Sequence, residues 1–172
     1  MPKRYNKYIL TFKEISKKDV ALVGGKNASL GEMFSKLNKK GISVPDGFAT
    51  TSYAYWYFLN KNKLLPKLKE IFKTLNVKVI RSLQKVGKEA RELILKAEFP
   101  ADLKKEIIKH YRKLGAKYGE NPDVAARSSA TAEDLPSASF AGAHETYLNI
   151  RGEEELLEGV RKCIVSLFND RA

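Results

Sequence analysis

Apolar positions along the chain follow two rhythms, and the rhythm changes with place. Leu30, Met33, Phe34 and Leu37 fall at i, i+3, i+4 and i+7. This spacing predicts a helix through "GGKNASLGEMFSKLNKKG" with those four on one apolar face, and Gly41 is placed to stop it. "YNKYILTFKEI" predicts a short opening strand. "ISVPDGFATT" predicts a turn around Pro45-Asp46-Gly47 and then a strand, with Ser52 capping the aromatic helix "YAYWYFLNKN". From Leu64 to Gly119 the pattern is helical, with joints near Pro66, around Asn76, and at "EFPADL", where Pro100 sits just inside a new start. Leu103, Ile107, Tyr111 and Leu114 make one stripe of the helix that follows. "DVAARSS" and "HETYLNI" read as strands on either side of a small-residue loop. "GEEELLEGVRKCIVSLFND" closes as a helix with acids in its first turn, where the macrodipole favours them. The predicted fold class is α+β: a helical middle, short strands at both ends, and no internal repeat.

Composition narrows the function classes. A chain of 172 residues, 43% hydrophobic and 30% charged, suits one soluble domain. No run approaches the roughly 20 apolar residues that span a bilayer, and the basic N-terminus lacks the apolar core of a secretory signal. The single cysteine, Cys163, has no internal disulfide partner and suits a reducing cytoplasm. Its place in "VRKCIVSLF" predicts a buried helical thiol rather than a nucleophile. The net charge is +12, and residues 1–120 carry the whole excess while residues 121–172 are net acidic. A basic half points to nucleic acid or to an anionic ligand. The lysines of 61–117 recur among leucines and isoleucines at helical spacing, which favours solvated helix faces over a nucleic-acid groove.

Two stretches carry candidate chemistry. In "VGGKNASLGEM" two glycines and Lys26 open a helix, whose unpaired N–H groups and dipole suit a phosphate. It is neither a Walker A loop nor G-x-G-x-x-G, and a plain turn with a surface lysine fits it as well. In "ARSSATAEDLPSASFAG" Arg127 ends a strand of small residues. There it either pairs internally with Glu133 or Asp134, or grips a phosphate while "SFAG" folds over as a lid. His110 reads as a helix-surface residue and His144 as a loop residue. No Cys/His/carboxylate spacing suggests zinc, and no Ser-His-Asp arrangement stands out.

Taken in order, "LVGGKNASLGEM", "GISVPDGFATT", "ARSSATAEDLPSASFAG" and "SLFNDRA" resemble the N-terminal region of the phosphoenolpyruvate synthase family, whose relatives are pyruvate phosphate dikinase and the rifampicin phosphotransferases. The motifs cover Leu22–Asp46 and Val124–Ala172 closely, and the lysine-rich middle matches in length and helical character. The resemblance implies that residues 1–172 are the first lobe of an ATP-grasp domain, in which two lobes sandwich ATP with Mg²⁺. In that family ATP phosphorylates a histidine on a swivelling domain, which passes the phosphate to pyruvate in a C-terminal barrel, a step of gluconeogenesis. Carried over, Lys26 and Arg127 contact ATP phosphates, and Gly142 and Thr146 lie in the loop against the nucleotide. Small residues there let a triphosphate approach the backbone. Where the family reads "AGQQ", this chain has Ala143 and His144, which removes two amide side chains from the lid. Neither His110 nor His144 matches the phosphorylated histidine. The second lobe, with the Mg²⁺ ligands, the phosphohistidine domain and the barrel are expected outside this chain. The expectation is therefore an N-terminal fragment with no catalytic or metal residue of its own, inactive alone. Its partners would be ATP and the remainder of a cytoplasmic, homo-oligomeric enzyme, and pyruvate would bind only in the full-length protein. The alternative is a stand-alone basic module that kept the fold and binds nucleic acid.

Overall fold

Strand β1 (Ile9–Thr11) pairs antiparallel with β2 (Phe48–Thr50), Leu10 opposite Ala49. The computed structural model describes residues 5–131 and 145–169. After β1 two 3₁₀ turns carry reciprocal capping boxes. Glu14 accepts from the Thr11 N–H at 2.9 Å and hydroxyl at 2.8 Å, and Asp19 accepts likewise from Ser16 at 2.8 and 2.9 Å. They lead into α1 (Val20–Leu37), which starts earlier than the spacing predicts and is broken at Gly24, where φ is 77° and ψ 164°.

The buried face of α1 is not the predicted stripe. Met33 is exposed and Leu30, Phe34 and Leu37 are half-buried, whereas Leu22, Val23, Ala28 and Gly31 are buried. The reason is close approach. A Cβ at Gly31 would come within 2.6 Å of Ile15 Cβ and Cγ2, so the helix meets its neighbour through its smallest residues. Leu10, Ile15, Leu22, Val23, Ala28 and Ala49 form that core, with Phe12 and Val20 packed against it. Gly41 sits at φ 79° after the last turn, as its position predicts.

Helix α2 (Ser52–Lys61) is capped by Thr51 rather than Ser52. The buried Thr51 hydroxyl accepts from the Ala54 N–H at 3.2 Å and donates to the Lys7 carbonyl at 2.6 Å. The Ser52 hydroxyl instead donates to the Ala21 carbonyl at 3.2 Å. Helix α5 (Ala101–Tyr118) buries Leu103, Ile107 and Tyr111 of the predicted stripe while its fourth member, Leu114, is half-buried, and Tyr111 donates to the Pro122 carbonyl at 2.8 Å. His110 is no surface residue: its ring lies 5.7 Å from that of Phe48, and Nδ1 is 2.9 Å from the Glu106 carbonyl oxygen.

β1, β2, α1, α5 and the first half of α2, up to Trp56, belong to the first of two compact units, comprising Met1–Trp56, Ala101–Pro122 and Ser129–Ser139. The second comprises Tyr57–Pro100, Asp123–Ser128 and Phe140–Ala172. It contains α3 (Leu64–Lys73), α4 (Ile80–Leu95), α6 (Glu153–Ser166) and the strands β3 (Val124–Arg127) and β4 (Thr146–Ile150). The joint predicted at Pro66 falls at Lys63, which takes φ 52°. Pro66 lies in the first turn of α3, where a missing N–H removes no helical bond. The break around Asn76 separates α3 from α4, as expected. Phe58, Leu59, Leu64, Leu68, Val86, Ala90, Ile94 and Leu157 are buried in this unit. The architecture is thus α+β, helix-rich with short antiparallel strands. Among the described residues no helix is long and apolar enough to cross a membrane.

Candidate functional site

The β3–β4 ribbon has one covered face and one open face. Ala126 pairs with Tyr147 and Arg127 with Thr146, whereas Val124 pairs with Ile150, so β4 carries one extra residue between these pairs. Asn149, at φ 57°, supplies the bulge. The bulge resets the alternation and sends Ile150 to the same face as Ala126. Both are buried there against α6, where a Cβ on Gly159 would meet Ile150 Cδ1 at 2.6 Å and Ala126 Cβ at 3.3 Å. The other face carries Ala125, Arg127, Thr146 and Leu148, all exposed. Two of the residues expected to contact ATP, Arg127 and Thr146, are therefore cross-strand partners. A guanidinium beside a hydroxyl can hold a phosphate through charge-assisted bonds.

Arg127 is exposed, so burial does not oblige it to find an anion, contrary to the reasoning from its small neighbours. Its proposed internal partners Glu133 and Asp134, together with Gly142, Ala143 and His144, lie outside the described residues. At the entry to β4 the Glu145 carbonyl accepts from the N–H and hydroxyl of Ser128, both at 3.4 Å. The Glu145 carboxylate accepts from the Tyr147 hydroxyl and from Asn169 Nδ2 at 3.4 Å. Burial and that carboxylate together push the Tyr147 hydroxyl pKa up. Burial, with a smaller contribution from the Glu145 charge, also pushes the half-buried Cys163 thiol up to about 12, which leaves it protonated and inert.

The second stretch surrounds Lys26 in the first unit. The Gly24 kink restarts α1, and the restarted turn is strapped by Ser129 and Ala130. The Gly25 N–H donates to the Ala130 carbonyl at 3.4 Å, and the Asn27 N–H to Ser129 Oγ at 3.2 Å. Asn27 Nδ2 also reaches back to the Val23 carbonyl at 2.9 Å. Two N–H groups that the sequence left open for phosphate are thus engaged within the protein. Lys26 stands exposed between them in the chain. Ser129, as the cap of the restarted turn, and Glu145, as the clamp of the ribbon, were not singled out from sequence. No spacing marks them, because both act through bonds to residues distant in the chain.

Among the described residues no three His, Cys, Asp or Glu side chains gather as a metal site. Several lysines of the helical middle are paired along their own helices, Lys73 with Glu70 and Lys109 with Glu106, each at 2.7 Å. Such pairs belong to solvated faces.

The chain matches the family model described as "Pyruvate phosphate dikinase, AMP/ATP-binding domain" over residues 20–172. It is 52% identical over 167 residues to the phosphoenolpyruvate synthase of Helicobacter pylori, covering 96% of this chain and 21% of that protein. It is 51% identical over 169 residues to that of Synechocystis sp., covering 95% and 21%. To that of Aquifex aeolicus it is 48% identical over 165 residues, covering 95% and 19%. The chain thus spans about a fifth of the length of the curated relatives it matches. With the motifs at both ends and the whole span from residue 20 onward inside the match, this chain belongs to the pyruvate phosphate dikinase AMP/ATP-binding domain family.

Proposed function

We propose that this chain is the first lobe of an ATP-grasp domain and supplies part of the ATP site of a phosphoenolpyruvate synthase-type phosphotransferase. The enzyme would convert ATP, pyruvate and water to phosphoenolpyruvate, AMP and phosphate. In this reading residues 1–172 form the N-terminal part of the ATP-binding domain. Lys26 and Arg127 neutralise phosphate charge, Thr146 adds a hydroxyl, and Gly142 lets the backbone come close. In-line phosphoryl transfer asks mainly for such positioning and neutralisation. The observation that carries the reading is the cross-strand pairing of Arg127 with Thr146 on an open ribbon face. The described residues do not fit a Mg²⁺ site, so the metal would be held by groups outside them. The named relatives are phosphoenolpyruvate synthases, which supports nucleotide binding over a nucleic-acid module.

Titrating ATP into the wild-type chain and Arg127→Ala tests this. A charge-assisted contact contributes about 1.5–3 kcal/mol, so affinity should fall roughly 10- to 150-fold. The melting temperature should stay within about 2 °C, because Arg127 is exposed. A melt lowered by several degrees with ATP affinity unchanged would mean an internal structural arginine instead. Alone, the chain should form no phosphoenolpyruvate from ATP and pyruvate.

A further inference from the structure

The open face of the β3–β4 ribbon carries more than its polar pair. Leu148 is 63% exposed although it lies within a strand, and Ala125, also exposed, is its neighbour on the same face. Leu148 is not a core residue that missed its place. The bulge at Asn149 sorts this strand, taking Ile150 into the packing on α6 while leaving Leu148 on the side of Arg127 and Thr146. The open face therefore has an order. A cation and a hydroxyl stand at one end, and an apolar side chain beside a small one stands one strand step further on.

We infer that Leu148, with Ala125 beside it, contacts the nucleoside part of the ligand whose phosphates Arg127 and Thr146 hold, and so sets preference for a nucleotide over a bare polyphosphate. This rests on the ATP reading above and adds a specificity residue to it. A nucleotide has the same order of chemistry as the ribbon, with anionic oxygens followed by a sugar and a flat base of low polarity. Residues two apart on a strand are about 6.8 Å apart, which separates Thr146 from Leu148. That leaves room for phosphate and sugar or base to lie over successive side chains. The small Ala125 leaves the surface beside Leu148 low enough for a ring to settle. An exposed leucine gains by covering apolar ligand surface, and a bare polyphosphate offers none.

The test is calorimetric titration of the 172-residue chain with ATP and, separately, with inorganic tripolyphosphate. Leu148→Thr keeps a strand-compatible side chain and removes apolar surface. It should weaken ATP about 3- to 10-fold and leave tripolyphosphate unchanged. Leu148→Phe keeps an apolar contact and should retain ATP affinity, while Arg127→Ala should weaken both ligands. Silence of Leu148→Thr toward ATP, or equal losses for ATP and tripolyphosphate, would overturn the inference while leaving the ATP reading intact. So would a Leu148→Phe variant that loses ATP as Leu148→Thr does. An Arg127→Ala variant that weakens neither ligand would remove the phosphate reading of Arg127 and this inference with it.

Discussion

Replacing Gly24 with alanine adds one methyl group where backbone conformation and a close contact both resist it. At φ 77° and ψ 164° the residue lies in a region essentially reserved for glycine, and another residue there costs about 1–3 kcal/mol. The new Cβ would also run into the carbonyl oxygen and hydroxyl of Ser129. Neither can give way without loosening the bonds from Gly25 N–H to Ala130 and from Asn27 N–H to Ser129, each contributing about 0.5–1.5 kcal/mol. The combined loss is about 2–6 kcal/mol. At about 2–4 °C per kcal/mol for a chain of this length, the centre of that range lowers the melting temperature by roughly 8–16 °C. Gly41→Ala is the control. With φ 79° and ψ 4° it takes the milder left-handed helical conformation, and a Cβ there meets nothing within 4 Å. Its cost should stop at about 1–2 kcal/mol. Urea unfolding followed by circular dichroism, with thermal melts, gives both differences. If Gly24→Ala loses no more stability than Gly41→Ala, Ser129 does not hold the kink and the account of the restarted helix is wrong.

Other expectations follow from the same packing. Gly31→Ala should destabilise more than Gly159→Ala in parallel urea titrations. The first would press on Ile15 Cβ and its carbonyl oxygen at 2.6–2.7 Å, the second mainly on the movable tip of Ile150. The Glu14 carboxyl resists a partial burial that would raise its pKa. Lys7 and the Thr11 N–H and hydroxyl outweigh that burial and bring it from 4.5 down to about 2. Because the folded pKa is the lower one, its stabilisation is present above pH 4.5 and lost as pH falls toward 2. The gap between wild type and Glu14→Gln should therefore be largest near neutrality, about 1 kcal/mol at most because the side chain is 39% exposed, and should close across that window. Cys163, with its thiol at about 12, should react far more slowly with a thiol reagent at pH 8 in the folded chain than in urea. Equal rates would place the thiolate in water.

Large apolar residues at regular spacing were legible where burial is by volume, as on α5, where Leu103, Ile107 and Tyr111 are buried as their stripe predicts. The same reading failed on α1. There the chain packs through Ala28 and Gly31, and a hydrophobic count gives glycine no weight. The cap at Thr51 escaped because Thr and Ser are both good caps, and a bond to Lys7 across the first unit decides between them. His110 looked exposed because charged residues surround it in sequence, but its contact is Phe48, far along the chain. In the candidate site Lys26 and Arg127 stood out by chemistry alone. Thr146 came only through the resemblance, since its meaning lies in its pairing with Arg127, and antiparallel register across an intervening loop is invisible in a single strand.

The single extra residue in β4 works as a gear between two surfaces. Without it, strict alternation would put Ile150 on the side of Thr146 and Leu148. Substitution at Asn149 by glycine or aspartate leaves that gearing in place, since both tolerate a left-handed backbone. Deletion does not. A one-residue shortening would exchange core for exterior beyond the bulge, turning Ile150 away from Gly159 and toward whatever the ribbon binds. Length is therefore held more tightly than identity at this position, and a library varying both should recover Asn149 replacements among folded chains but no Asn149 deletions.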